Sequence, residues 1–197
     1  MFVRQDYMKI ILGSASENRQ KILREAGYEF EVMVSNIDEK AIRNENYFEL
    51  PLQVARAKAA ALLPKIKESA FLITADTVTV WNGALREKPR NLEEARLFLK
   101  TFSESPHPIE CINGIVVTNT ESGAFQTGVD TSKIWFGKIA NELIEALIAE
   151  RKICNWAGAF TLHDPRIDAC VRRIEGSRES VLGLPLELVK KFIHNLS

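Results

Sequence analysis

The chain has 197 residues, enough for one domain, or one domain pinched into two lobes, around a substantial core. Hydrophobic residues make up 46% and charged residues 26%, and 26 basic side chains balance 26 acidic ones, so the formal net charge is zero. That balance argues against nucleic-acid or membrane binding, which favour surplus positive charge, and no apolar run approaches the roughly 18–20 residues of a bilayer span.

Arg4, Asp6 and Lys9 interrupt the start of the chain and leave no apolar core for a signal peptide. Cys111, Cys154 and Cys170 are three in number with no CxxC spacing, the pattern of reduced thiols rather than of a zinc site. Together these features predict a cytoplasmic protein. No internal repeat or low-complexity tract interrupts the expected single domain, 1–197.

Taken in chain order, Met8 to Leu12 is an apolar run that predicts a short buried strand ended by Gly13. Ser14-Ala15-Ser16-Glu17 then reads as a helix start, with a hydroxyl cap and an acid in the first turn. Ile22, Leu23 and Ala26 share the apolar face of that helix, and Gly27 closes it. Tyr28 to Val34 alternates like a strand and leads into the polar turn Ile37 to Lys40. A second helix is predicted over Pro51 to Ile66, and a buried strand over Phe71 to Ala75 carries Asp76 and Thr77 at its end.

Asn91 caps a third helix whose core face is Leu92, Ala95, Phe98, Leu99 and Phe102. Ile109 to Thr118 and Gln126 to Phe136 predict two long strands of a hairpin turning at Asn119 to Gly123. A helix over 140–150, short strands over 159–162 and 169–174, and a last helix from Pro185 complete the chain. Strands and helices alternate, but the hairpin argues against an all-parallel sheet. The fold class is therefore α/β, a mixed β-sheet flanked by helices.

Three groups of residues are suited to phosphate chemistry. In Gly13-Ser14-Ala15-Ser16-x-x-Arg19, a strand-to-helix turn aims free N–H groups and the positive end of the helix at one place; the hydroxyls and the Arg19 fork suit phosphate oxygens. The alternative is a plain helix cap with a surface arginine. Glu39 and Asp76 are carboxylates suited to a hard divalent ion, with a turn glutamate and a turn-capping aspartate as the alternatives. Lys88, held extended before Pro89, and Lys58 on the second helix are candidate cations; Arg56 borders the same helix stripe, and helical geometry alone does not choose between it and Lys58. The P-loop and GxGxxG signatures are absent.

Read together, ILGSASENRQKILREAG, SNIDE, VARAKAAAL, LITADTVTV, EKP and VLGLPL resemble the Maf family of nucleotide pyrophosphatases, in the family's order and over about residues 8 to 190. The resemblance implies a dimeric, two-lobed α/β fold related to inosine triphosphatases. It also implies hydrolysis of the α–β phosphoanhydride of non-standard or pyrimidine nucleoside triphosphates with Mg²⁺ or Mn²⁺. Ser14, Ser16 and Arg19 fall on the family's phosphate-binding signature. Glu39 and Asp76 match its metal-binding or water-orienting carboxylates, and Lys58 and Lys88 its lysines. Thr77 resembles the subgroup acting on thymidine and uridine triphosphates, whereas Asn18 and His163, both candidate base contacts, match neither that group nor the one acting on 7-methylguanosine triphosphate. Asn113-Gly114 stands where a Thr-Gly is typical. A nucleotide-binding regulator of cell division or septum formation, with little turnover, is the alternative function.

Overall fold

The computed structural model describes residues 8–197; Arg4 and Asp6 lie outside the described residues. Strand β1 covers Lys9–Leu12, and Gly13 follows it as expected. Helix α1, Glu17–Glu25, is capped by Ser16, whose side chain accepts the Arg19 N–H, with Glu17 in its first turn. Strand β2 is limited to Phe30–Val32, shorter than the alternating run 28–34. It lies at the sheet edge, parallel to β1 with Ile10 opposite Phe30, and its side chains are largely exposed, so little burial extends the pairing.

Helix α2 runs Glu49–Leu62 and stops four residues before the expected end. Pro64 has no N–H for the helical ladder, and the chain passes instead into a 3-10 turn over Leu63–Lys65. Strand β3 is the larger correction. It spans Ala70–Trp81, so Asp76 and Thr77 lie in mid-strand and not at a strand end. Val78, Thr79 and Val80 are β-branched, buried residues that carry the pairing onward. Asn82 and Gly83, both with positive φ (48° and 72°), then form a two-residue turn to β4, Ala84–Leu85, with Trp81 opposite Ala84. That Asn-Gly pair is itself a local hairpin signature.

Helix α3, Leu92–Phe102, is capped by Asn91 and buries Ala95, Phe98, Leu99 and Phe102. Strands β5 (Ile109–Asn119) and β6 (Phe125–Phe136) are hydrogen-bonded neighbours joined by a turn containing Gly123, as the hairpin expectation requires. Helix α4 covers Asn141–Ala149. The strand expected over 159–162 does not form: Gly158 and Ala159 have φ of 67° and 60°, which turns the chain through a short 3-10 segment. Helix α5 (Pro165–Asp168), strand β7 (Val171–Glu175), helix α6 (Arg178–Val181) and helix α7 (Leu186–Leu196) follow. The strand order is β2-β1-β3-β5-β6-β7 with β4 on β3; β1 pairs parallel to β2 and β3, while β4 and β7 pair antiparallel to β3 and β6. The sheet is mixed.

The chain divides into two compact units, residues 1–76, 114–129 and 184–197, and residues 77–113 and 130–183. The first unit packs Leu52, Ala55, Ala59 and Leu62 of α2 against Ile11, Leu72 and Val116 of the strands. Gly114 permits that approach, because a Cβ there would fall 2.2 Å from the Leu52 nitrogen. The second unit is built on an aromatic core in which Phe160 meets Phe102 and Phe136 edge-on.

Candidate active site

In the first unit, Gly13 leaves β1 with its N–H bonded to the Ile73 carbonyl at 2.7 Å, and a Cβ at that position would lie 2.5 Å from Thr74 Cγ2. The turn into α1 is thus set tightly against β3. Ser14 Oγ accepts the Ser16 N–H at 3.2 Å and the Arg19 guanidinium at 3.0 Å. Arg19 is only 8% exposed, so it is a buried cation belonging to the loop and not the surface arginine of the alternative reading.

Lys58 settles the choice left open on α2. It is 5% exposed, whereas Arg56 points outward and donates to Thr127 Oγ1. The Lys58 ammonium stands 3.0 Å from Asp76 Oδ1 and 3.0 Å from Glu39 Oε2, and 3.4 Å from the Ala75 carbonyl. Glu39 opens a 3-10 turn, Glu39–Ala41, capped by Asp38, and is half exposed. Four residues far apart in sequence therefore form one cluster of two cations and two carboxylates.

The electrostatics follow from burial. Desolvation pushes the Asp76 carboxyl above the ordinary aspartate value, Lys58 and Arg19 draw it back, and Glu39 adds to the upward push. Burial lowers Arg19 from its usual value, partly offset by the charges of Asp76 and Glu39. A carboxyl held above its normal range between two cations is suited to accepting a proton.

The fit of a divalent cation rests on the donor set. Glu39 and Asp76 converge on one ammonium at 3.0 Å each, close enough to share an ion, and no group of three or more His, Cys, Asp or Glu side chains suited to a metal exists among the described residues. Two carboxylates suit Mg²⁺ or Mn²⁺ completed by phosphate oxygens and water, and do not suit a closed zinc site. The residues present fit the group.

Asn18 lies on α1, one residue before Arg19, and is partly exposed. The remaining sequence candidates belong to the second unit. Lys88 is exposed on the segment between β4 and α3, next to the buried Pro89. His163 is partly exposed after the 3-10 segment, its N–H on Thr161 Oγ1 at 3.3 Å. Thr77 donates to Asn113 Oδ1 at 2.7 Å, and Asn113 donates to the Ser180 carbonyl and hydroxyl, both at 2.9 Å. The Ser180 hydroxyl in turn donates to the Asp130 carboxylate. In the sequence Asn113 is only a departure from the family pattern, and Ser180 and Asp130 carry no signal, because a polar network between distant residues has no periodicity to betray it.

A family model described as Maf-like protein matches residues 9–196. The chain is 38% identical over 195 residues to a 7-methyl-GTP pyrophosphatase of Dictyostelium discoideum, covering 95% of this chain and 97% of that one. It is 31% identical to a dTTP/UTP pyrophosphatase of Vibrio vulnificus, covering 94% and 97%. Among solved structures, a nucleoside-triphosphatase (dITP/XTP pyrophosphatase) of Mycobacterium abscessus superposes with a TM-score of 0.40 at 13% identity, over 67% of this chain and 76% of its own. By the family match and the near-complete coverage of both relatives, the chain belongs to the Maf family.

Proposed function

We propose that this chain, a nucleoside triphosphate pyrophosphatase, uses Mg²⁺ or Mn²⁺ to hydrolyse non-standard or pyrimidine nucleoside triphosphates to the monophosphate and pyrophosphate. The observation that carries the reading is the convergence of Lys58, Asp76 and Glu39 at 3.0 Å beside the buried, hydrogen-bonded pair Ser14 and Arg19. Glu39 and Asp76 would hold the ion, which supplies charge neutralisation on the phosphates and a more acidic water.

Ser14, Ser16 and the positive end of α1 bind phosphate oxygens. Arg19 and Lys58 offset negative charge, most of all as it develops on the departing pyrophosphate, and Lys88 serves as a further phosphate cation. Asp76 takes a proton from the attacking water at its carboxylate; a bond forms from water oxygen to the α-phosphorus and the α–β bridging bond breaks. Thr77, Asn18 and His163 are proposed contacts for the nucleoside. A homodimer is proposed from the family resemblance. Among the described residues, no helix is long and apolar enough to cross a membrane.

The test is pyrophosphate release from a panel of nucleoside triphosphates with either metal, beside Asp76→Asn. The expected result is metal-dependent release that the variant abolishes while its circular dichroism is unchanged. Tight nucleotide binding without product would instead favour the regulator.

A further inference from the structure

Lys58 is a cation enclosed between two carboxylates. Its ammonium lies among three oxygens, Asp76 Oδ1 and Glu39 Oε2 at 3.0 Å each and the Ala75 carbonyl at 3.4 Å. Its side chain is only 7% exposed, on a helix whose Ala55, Ala59 and Leu62 are packed against the strands. A surface lysine turns into water at little cost when another cation arrives. Lys58 has no such retreat. Leaving the carboxylates would strand a buried charge unless another anion took it up.

The charges of the cluster carry the consequence. Arg19 acts on both Asp76 and Glu39, so the two carboxylates are already balanced by two cations. A dication added to that balanced set is opposed by both, and most directly by the ammonium beside the oxygens it would share. A polyphosphate reverses the balance: its oxygens supply negative charge for the dication and give the ammonium a new partner.

We infer that Lys58 is a tethered counter-ion that keeps Glu39 and Asp76 from taking up a divalent cation alone and releases them when substrate phosphate arrives. This rests on the reading of Glu39 and Asp76 as the carboxylates that hold the ion. The coupling is reciprocal, so the ion tightens nucleotide binding by the factor by which nucleotide tightens binding of the ion.

The experiment titrates Mn²⁺ alone, without nucleotide, into wild type, Lys58→Met, Lys58→Gln, Lys58→Arg and the double variant Lys58→Met/Asp76→Asn. Calorimetry reads the affinity, and thermal melts with and without Mn²⁺ read the linked stability. Lys58→Met and Lys58→Gln are expected to bind Mn²⁺ about tenfold more tightly than the wild type, and Mn²⁺ should raise their melting temperatures more. Lys58→Arg keeps the charge and should bind as weakly as the wild type. Adding Asp76→Asn should abolish the gain, which assigns it to these carboxylates. Lys58→Gln keeps a hydrogen-bond donor and serves as the uncharged variant where Lys58→Met fails to fold. Equal Mn²⁺ affinity in the wild type and the uncharged variants, or a gain that survives Asp76→Asn, would overturn the inference; metal-dependent pyrophosphate release would then leave the reading of the site standing. No release from any nucleotide with either metal would overturn that reading and the inference with it.

Discussion

Replacing Lys58 by Met tests the electrostatic account of the site most directly. Asp76 sits above the ordinary aspartate value of 3.8 because desolvation outweighs the pull of Lys58 and Arg19. The folded state thus favours the neutral acid, and ionisation of Asp76 costs stability as the pH rises through the folded-state pKa. Lys58 limits that cost. Met keeps most of the side-chain volume but removes the ammonium 3.0 Å from each carboxylate. Removing one partner of a buried pair costs ~3–5 kcal/mol. Asp76 retains 17% of its side-chain exposure and Glu39 about half, so the low end applies, about 3 kcal/mol at neutral pH. Without Lys58 the Asp76 pKa moves further up, and acidification lets the variant protonate Asp76 before the wild type does. The penalty should therefore shrink as the pH falls. Urea denaturation midpoints of both proteins at pH 8 and pH 5, with m-values compared, give the measurement. A penalty under about 1 kcal/mol, or one that does not change with pH, would refute the reasoning.

Asp76→Asn should behave in the opposite way, losing pyrophosphate release while being no less stable than the wild type at neutral pH, since it removes a charge that burial disfavours; a melting temperature well below that of the wild type would contradict this. Gly114→Ala should be more destabilising than Gly13→Ala, because its new Cβ meets α2 backbone at 2.2–2.4 Å, whereas at Gly13 the two nearest atoms are side-chain carbons at 2.5 and 2.8 Å. Overpacking of this kind costs roughly 1–3 kcal/mol or more, read from paired thermal melts. Burial pushes the Cys111 thiol up to about 12, so at pH 8 a thiol-specific disulfide reagent should leave Cys111 unmodified in the native protein and react with it only after unfolding. Modification of all three cysteines at equal rates in the folded state would contradict its placement.

The local sequence by itself determined the elements whose signals are local. The Ser16 and Asn91 caps, the apolar stripe of α3 and the turn residues between the two long strands β5 and β6 are written within a few residues, and each forms as expected. The phosphate-suited loop was legible for the same reason, and the family was legible from six motifs in order. Element lengths were less so. β3 passes through Asp76, a poor strand former, because its neighbours pair on either side. Gly158 and Ala159 turn where their apolar surroundings suggested a strand.

Only the tertiary structure decided which cation stands beside the carboxylates, because Arg56 and Lys58 flank the same helical stripe and differ in burial by which side of α2 meets β3. It alone brought Glu39 and Asp76 onto one ammonium, since the 36 residues between them carry no record of that distance. It also joined Thr77 to partners at positions 113, 180 and 130. Helix caps, periodicity and turns depend on neighbours along the chain, whereas charge pairing, desolvation and the direction of a hydrogen bond depend on neighbours in space.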